Sequence, residues 1–125
     1  MYLFALQSAL ISFLIATSDA CKIQFRMTSK ADSPFKVQFI VPSISYSSPE
    51  LEFLTKDQSI IHDIQGEQCD AKKWHIIIWK QEDDDFIPVH DYQTKFEGIG
   101  HVSFEVDNTY TPDFTDRFGV FQSNL

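Results

Sequence analysis

From Cys21 onward the chain alternates apolar and polar side chains with a period of two, again and again. That period belongs to a strand with one face on a core and the other toward solvent. Over 21–28, Cys21, Ile23, Phe25 and Met27 share one face, and Lys22, Gln24, Arg26 and Thr28 the other. Over 35–41, Phe35, Val37, Phe39 and Val41 oppose Lys36, Gln38 and Ile40. Pro42 stops this run because it has no N–H to give a ladder. The two runs, joined by the turn-rich segment 29–34, read as an antiparallel hairpin. Further strands are expected at 51–55 and 59–64, around a Lys56-Asp57-Gln58 turn, and at 74–79. Others follow at 86–96, where Pro88 suggests a sheet edge, at 101–107 and at 114–121. About seven or eight short strands at spacings of roughly ten residues, with no helical period after residue 20, predict an all-β domain. The expected architecture is an antiparallel two-sheet β-sandwich, with a small closed barrel as the alternative.

Residues 1–20 break the pattern. Ala9 to Ala16 is a continuous apolar run, followed by Thr17-Ser18-Asp19-Ala20 with small residues at 18 and 20. This is the form of a cleaved export signal, although no Lys or Arg precedes the run. The run is too short for a membrane span, which needs about 20 apolar residues. The expected organisation is a signal peptide at 1–20 and a single domain at 21–125, secreted and extracellular. Cleavage after Ala20 makes Cys21 the first mature residue. Lipidation of that thiol is the weaker alternative, since Ser18 and Asp19 stand where a lipoprotein signal has other residues.

The chain has 2 Cys, Cys21 and Cys69, and an oxidising compartment allows them one pairing. That disulfide closes a loop of about 49 residues, for which loop entropy gives roughly 4 kcal/mol. It ties down an N-terminus that otherwise frays. The formal net charge is -8, which repels nucleic acid and anionic membranes, so neither is an expected partner.

Chemical signatures are sparse. The acidic turn Glu82-Asp83-Asp84-Asp85 brings Asp83 and Asp85 forward as calcium ligands, with Asp113 and Asp116 from the tail, in the manner of a C2-like binding module. The same residues also read as a solvated hairpin turn, and no EF-hand spacing is present. His101, Ser103 and Glu105 are the residue types of a hydrolytic triad. They lie at alternate positions of one strand, roughly 6 to 7 Å apart, when a nucleophile and its base need about 3 Å. His62, His75, His90 and His101 lack zinc spacing, and with 4 Gly no phosphate loop is built. No enzyme activity and no bound cofactor are expected.

The run Trp74 to Trp79 is apolar on both faces, which a half-buried strand is not. Either the domain's own loops cover the second face, or Ile77 and Trp79 mark a contact surface for a partner, a small-molecule ligand or a second copy in a homodimer. The segments Cys21 to Lys30, Ser33 to Pro42 and Lys73 to Lys80, together with Cys69, resemble small secreted single-domain proteins of nematodes that have no assigned activity. The resemblance is structural and implies no site residues. The functional expectation is a secreted, non-enzymatic binding or interaction module.

Overall fold

The computed structural model describes residues 20–124. The export signal expected at 1–20 lies outside the described residues except for Ala20. Among the described residues there are eight strands: β1 (Ala20–Ser29), β2 (Phe35–Val41), β3 (Tyr46–Ser47), β4 (Leu51–Phe53), β5 (Ser59–Glu67), β6 (Trp74–Glu82), β7 (Asp85–Val106) and β8 (Pro112–Ser123). The fold is all-β, 70% strand, and its sheet is mixed and curled into a half-barrel. No helix among the described residues is long and apolar enough to cross a membrane.

The sheet runs β3-β2-β6-β7-β1-β5, with β4 added to β2 and β8 to β7. Strand β7 joins two halves. Its first part, to Thr94, pairs with β6, and its second part, from Lys95, pairs with β8 and from Ile99 also with β1. The strands expected at 86–96 and 101–107 are therefore one 22-residue strand. Two further expectations are corrected. The β1–β2 hairpin does not form: β1 lies between β5 and β7, and β2 between β6 and the short β3 and β4. The sheet is also not antiparallel throughout, because β1 and β7 are parallel from Lys22↔Ile99 to Ser29↔Val106.

The physical reason lies in the core. Alternation tells a strand which face to bury, not which neighbour to pair with. Phe25 of β1 and Phe39 of β2 meet across the interior, ring centroids 4.6 Å apart, so the two strands stack face to face. Phe25 also packs on Trp74 at 5.7 Å and Phe96 at 5.3 Å. All four rings are fully buried. Burial of each is worth about 1.5–3 kcal/mol or more. Phe35 stacks on Phe53 at 4.7 Å, which fixes β4 against β2.

Cys21 and Cys69 form the expected disulfide, with Cα atoms 6.2 Å apart. Cys69 sits on a 3-10 turn, Cys69–Ala71. Its carbonyl accepts hydrogen bonds from Trp74 Nε1 at 2.8 Å and Ser43 Oγ at 2.9 Å. The bridge thus links the start of β1 to the approach of β6 and to the turn after β2.

Candidate functional site

The outer face of β5, β1, the second part of β7 and β8 carries the four most exposed large apolar side chains among the described residues; Leu54, Ile87 and Val89 are exposed elsewhere. Ile99 is 65% exposed, Phe118 72%, Phe121 70% and Ile61 61%. Strand register places them together. Phe118 lies opposite His101 and Phe121 opposite Glu97, so Ile99 stands between those two rows. Ile61 lies opposite Arg26 across β1. The Phe118 ring stacks on His101, 6.1 Å between centroids and 20° between planes. Beside them runs a shallow hollow of about 360 Å³ lined by Lys22, Gln24, Arg26, Asp63, Ile99 and His101.

The backbone beneath is unusual. The β7–β8 register shifts between Gly98 and His101. Gly98 has φ +113°, and a Cβ added to it would collide with the Gly119 carbonyl oxygen. Such a bulge needs glycine and bends its strand. Ile99 lies within the shifted segment, and Phe118 and Phe121 lie opposite His101 and Glu97 on either side of it.

His101 Nε2 donates to Asp116 Oδ2 at 3.0 Å. This bond, followed by the Arg117 backbone N–H, holds the Asp116 carboxyl below the usual carboxylate range. His101, Ser103 and Glu105 share this outer face, as their alternate positions on one strand require, and His101 is paired with Asp116 and bonds to no serine among the described residues. The arrangement can orient a histidine and present an aromatic platform. It does not bring a nucleophile to a base.

A second hollow, of about 250 Å³, adjoins the disulfide and is lined by Ala20, Cys21, Cys69, Asp70, Glu97, Gly98 and Phe121. Glu97 has its pKa raised, first by its hydrogen bond with Asp70 and then by the Asp70 charge.

The calcium candidates are not gathered. Asp83 and Asp85 lie at the β6–β7 turn, with Asp83 in the left-handed region at φ 56°. Asp113 lies on β8 opposite Glu105, and Asp116 is committed to His101. Among the described residues no group of three or more His, Cys, Asp or Glu side chains is placed to hold a metal ion. Other acidic side chains find hydrogen-bond donors, as Asp107 does in Thr109 and Asp32 in Asn108.

Ile77 and Trp79 lie on the outer face of β6, and both are half-buried. Their neighbours across the strands are Gln38 and Asp91 for Ile77, and Lys36 and Pro88 for Trp79. Lys36 Nζ lies 4.3 Å from the Phe86 ring centroid, and His75 Nδ1 lies 3.0 Å from both Asp91 oxygens. The more exposed surface, at Ile99, Phe118 and Phe121, was not legible from apolar runs, since its residues come one at a time from different strands. A signal was present in the glycines: Gly98, Gly100 and Gly119, three of the chain's 4, flank these residues.

The class these features define is a disulfide-closed, all-β domain with an exposed aromatic sheet face. No protein-family model matches the chain, and no curated protein matches it.

Proposed function

We propose that the protein is a secreted, non-enzymatic interaction module that binds a protein partner through the outer face of β5, β1, β7 and β8. The two halves of the curled sheet serve as the two layers of a sandwich-like scaffold, and the disulfide suits an oxidising extracellular compartment. The observation that carries the reading is the juxtaposition of Ile99, Phe118 and Phe121, each at least 65% exposed, on one face. Contiguous exposed apolar surface rimmed by polar groups marks an interaction site. Here the rim is Lys22, Gln24, Arg26 and Asp63. Phenylalanine is enriched at interface centres, where it fills a partner's pocket.

The test compares the secreted protein with Phe118→Asp and Phe121→Asp. Sedimentation over a range of concentrations reports self-association, and crosslinking in the native extracellular fluid reports other partners. A dimer or a crosslinked partner lost in both variants and kept in Ile77→Asp supports this face. A monomer whose crosslinks are the same in all variants overturns it.

A further inference from the structure

Strand β5 ends the sheet path and pairs only with β1 among the described residues. A free strand edge presents a row of unpaired N–H and C=O groups, and proteins usually blunt it. The other edges of this fold are blunted. Strands β3 and β4 are 2 and 3 residues long. Strand β8 begins at Pro112, and its ladder with β7 is broken by two register shifts. Strand β5 has none of these devices. Its register runs unshifted from Thr28↔Ser59 to Ala20↔Glu67, and Ser59 to Glu67 holds no Pro, Lys or Arg.

The open backbone groups follow from the ladder. Ser29 N–H donates to the Gln58 carbonyl at 2.9 Å, and Lys30 N–H to the Val106 carbonyl at 2.8 Å. Odd-numbered residues of β1 thus turn their backbone groups to β5, and even-numbered ones to β7. Across the antiparallel register, Cys21, Ile23, Phe25 and Met27 meet Gly66, Ile64, His62 and Ile60. The N–H and C=O groups of Ile61, Asp63 and Gln65 therefore point away from β1. No hydrogen bond among the described residues reaches them. Tyr46 meets β5 at the His62 side chain, beside Phe39 on the core face, and β3 pairs with β2 alone.

The side chains along this edge select its occupant. Ile61, Asp63, Gln65 and Glu67 are exposed on the outer face. Asp63 lies opposite Gln24 and Glu67 opposite Ala20, both neutral, with Lys22 and Arg26 at diagonal positions. A second copy added edge to edge brings two acids per strand and no Lys or Arg, and like charges across a strand pair repel. A basic strand is attracted. We propose that the open edge of β5 takes an extended segment of a protein partner by strand addition. Cations of the partner stand opposite Asp63 and Glu67, and an apolar side chain stands opposite Ile61. Main-chain bonds to Ile61, Asp63 and Gln65 give affinity, and the alternating side chains give the choice of sequence. The inference rests on the binding reading above for its protein partner, since β5 is one margin of that face and an added strand continues it.

The test uses the full chain exported by a secreting host and two labelled synthetic strands of valine and threonine. One strand carries lysine at two positions four apart, and the other carries glutamate there. Fluorescence anisotropy should show the glutamate strand binding roughly fivefold more weakly, or worse, with the preference reversed in D63K/E67K. No binding, or equal binding of both strands, overturns the proposal. On saturation with the lysine strand, amide exchange at Ile61, Asp63 and Gln65 should slow by about tenfold or more, while Ile60, His62 and Ile64 stay as they were. Unchanged exchange at the first three overturns the proposal, and this readout needs no variant. Asp63→Pro and Gln65→Pro each delete an outward donor where an edge tolerates proline, so both should melt close to wild type and lose the lysine strand. Binding kept in either folded variant overturns the proposal, as does a dimer by sedimentation that Asp63→Pro abolishes, since the occupant is then a second copy. Phe118→Asp, three strands away, should keep the lysine strand. Crosslinks in the native extracellular fluid that are lost in Phe118→Asp and kept in Asp63→Pro leave the aromatic face standing and overturn strand addition. The opposite pattern supports strand addition and removes the aromatic face.

Discussion

The two halves of the curled sheet treat their outer faces differently. On β6, where the sequence is most densely apolar, Ile77 and Trp79 are half-buried beside Lys36, Gln38 and Asp91. On β7 and β8, where apolar residues are scattered, Ile99, Phe118 and Phe121 are left in solvent. The difference comes from backbone and neighbours, not from hydrophobicity. Long side chains lie over the outer face near β6, Lys36 on Phe86 and His75 on Asp91. In the other half the glycine bulge interrupts the β7–β8 register beside the exposed aromatic residues, and no long side chain is seen to cover them. An apolar run therefore locates a strand, while exposure is settled by what crosses it.

The largest effect expected is in the core that the halves share. Trp74 is fully buried, packs on Phe25 and Phe96, and donates to the Cys69 carbonyl. Trp74→Ala should cost about 3–5 kcal/mol, measured by chemical denaturation. A loss below roughly 1 kcal/mol would mean that the two halves do not depend on this contact. Next comes the bulge itself. Gly98→Ala forces a side chain into φ +113° and against the Gly119 carbonyl, and should cost more than about 1 kcal/mol. Amide exchange should rise along β8 and stay unchanged in β2, because the damage is confined to the β7–β8 ladder. Equal loss of protection in both strands would break the distinction between the halves.

Much of this fold was legible. Period-two alternation located β1, β2 and the second part of β7, the apolar run Trp74 to Trp79 located β6, and the pair of cysteines gave the disulfide. Pairing was not legible. Phe25 and Phe39 carry the same signal whether their strands lie side by side or face to face, and the turn at 29–34 suits either. The parallel β1–β7 contact was hidden because strands some 75 residues apart in sequence share no local signature. For the candidate site, the individual residues were visible as ordinary apolar positions, but their convergence depends on the β7–β8 register, which only the folded chain sets.

The seam between the edge strands β3 and β5 gives a smaller, pH-dependent effect. Tyr46 Oη and His62 Nε2 are 2.8 Å apart, and the His62 ring lies parallel to Phe39, 5.9 Å between centroids. Burial lowers the His62 pKa, with Asp63 opposing. The unfolded chain therefore takes up a proton first as the pH falls through about 6.5. Stability from this group is fully present above that value and is lost as the pH falls toward the folded pKa. The denaturation midpoint should drop between pH 7 and 5 in wild type, and by less in His62→Phe. Asp32, Asp57, Asp107 and Asp116, with lowered pKa values, lose their contributions in more acidic solution, and the comparison with His62→Phe separates the histidine from Glu97, whose raised pKa acts in the opposite direction. Identical slopes in the two proteins would remove His62 as the cause.

The smallest effects on stability are expected at the two outer faces, and there they should separate binding from folding. Trp79 Nε1 is buried without an acceptor among the described residues. A buried donor with no partner costs about 1–3 kcal/mol, and that offsets much of what the ring contributes. Trp79→Phe removes the donor and keeps most of the apolar surface, so its stability should match wild type within about 0.5 kcal/mol. The same change at Trp74 breaks a bond to the Cys69 carbonyl and should cost more. Phe118→Ser removes a ring that is 72% exposed and should also leave stability within about 0.5 kcal/mol. If the face around Ile99 is the contact surface, Phe118→Ser loses partner binding while Trp79→Phe keeps it. The reverse pattern would move the contact surface to β6. Loss of binding in neither variant would take it off the sheet faces and point to the loops, because both outer surfaces would then have been altered without consequence.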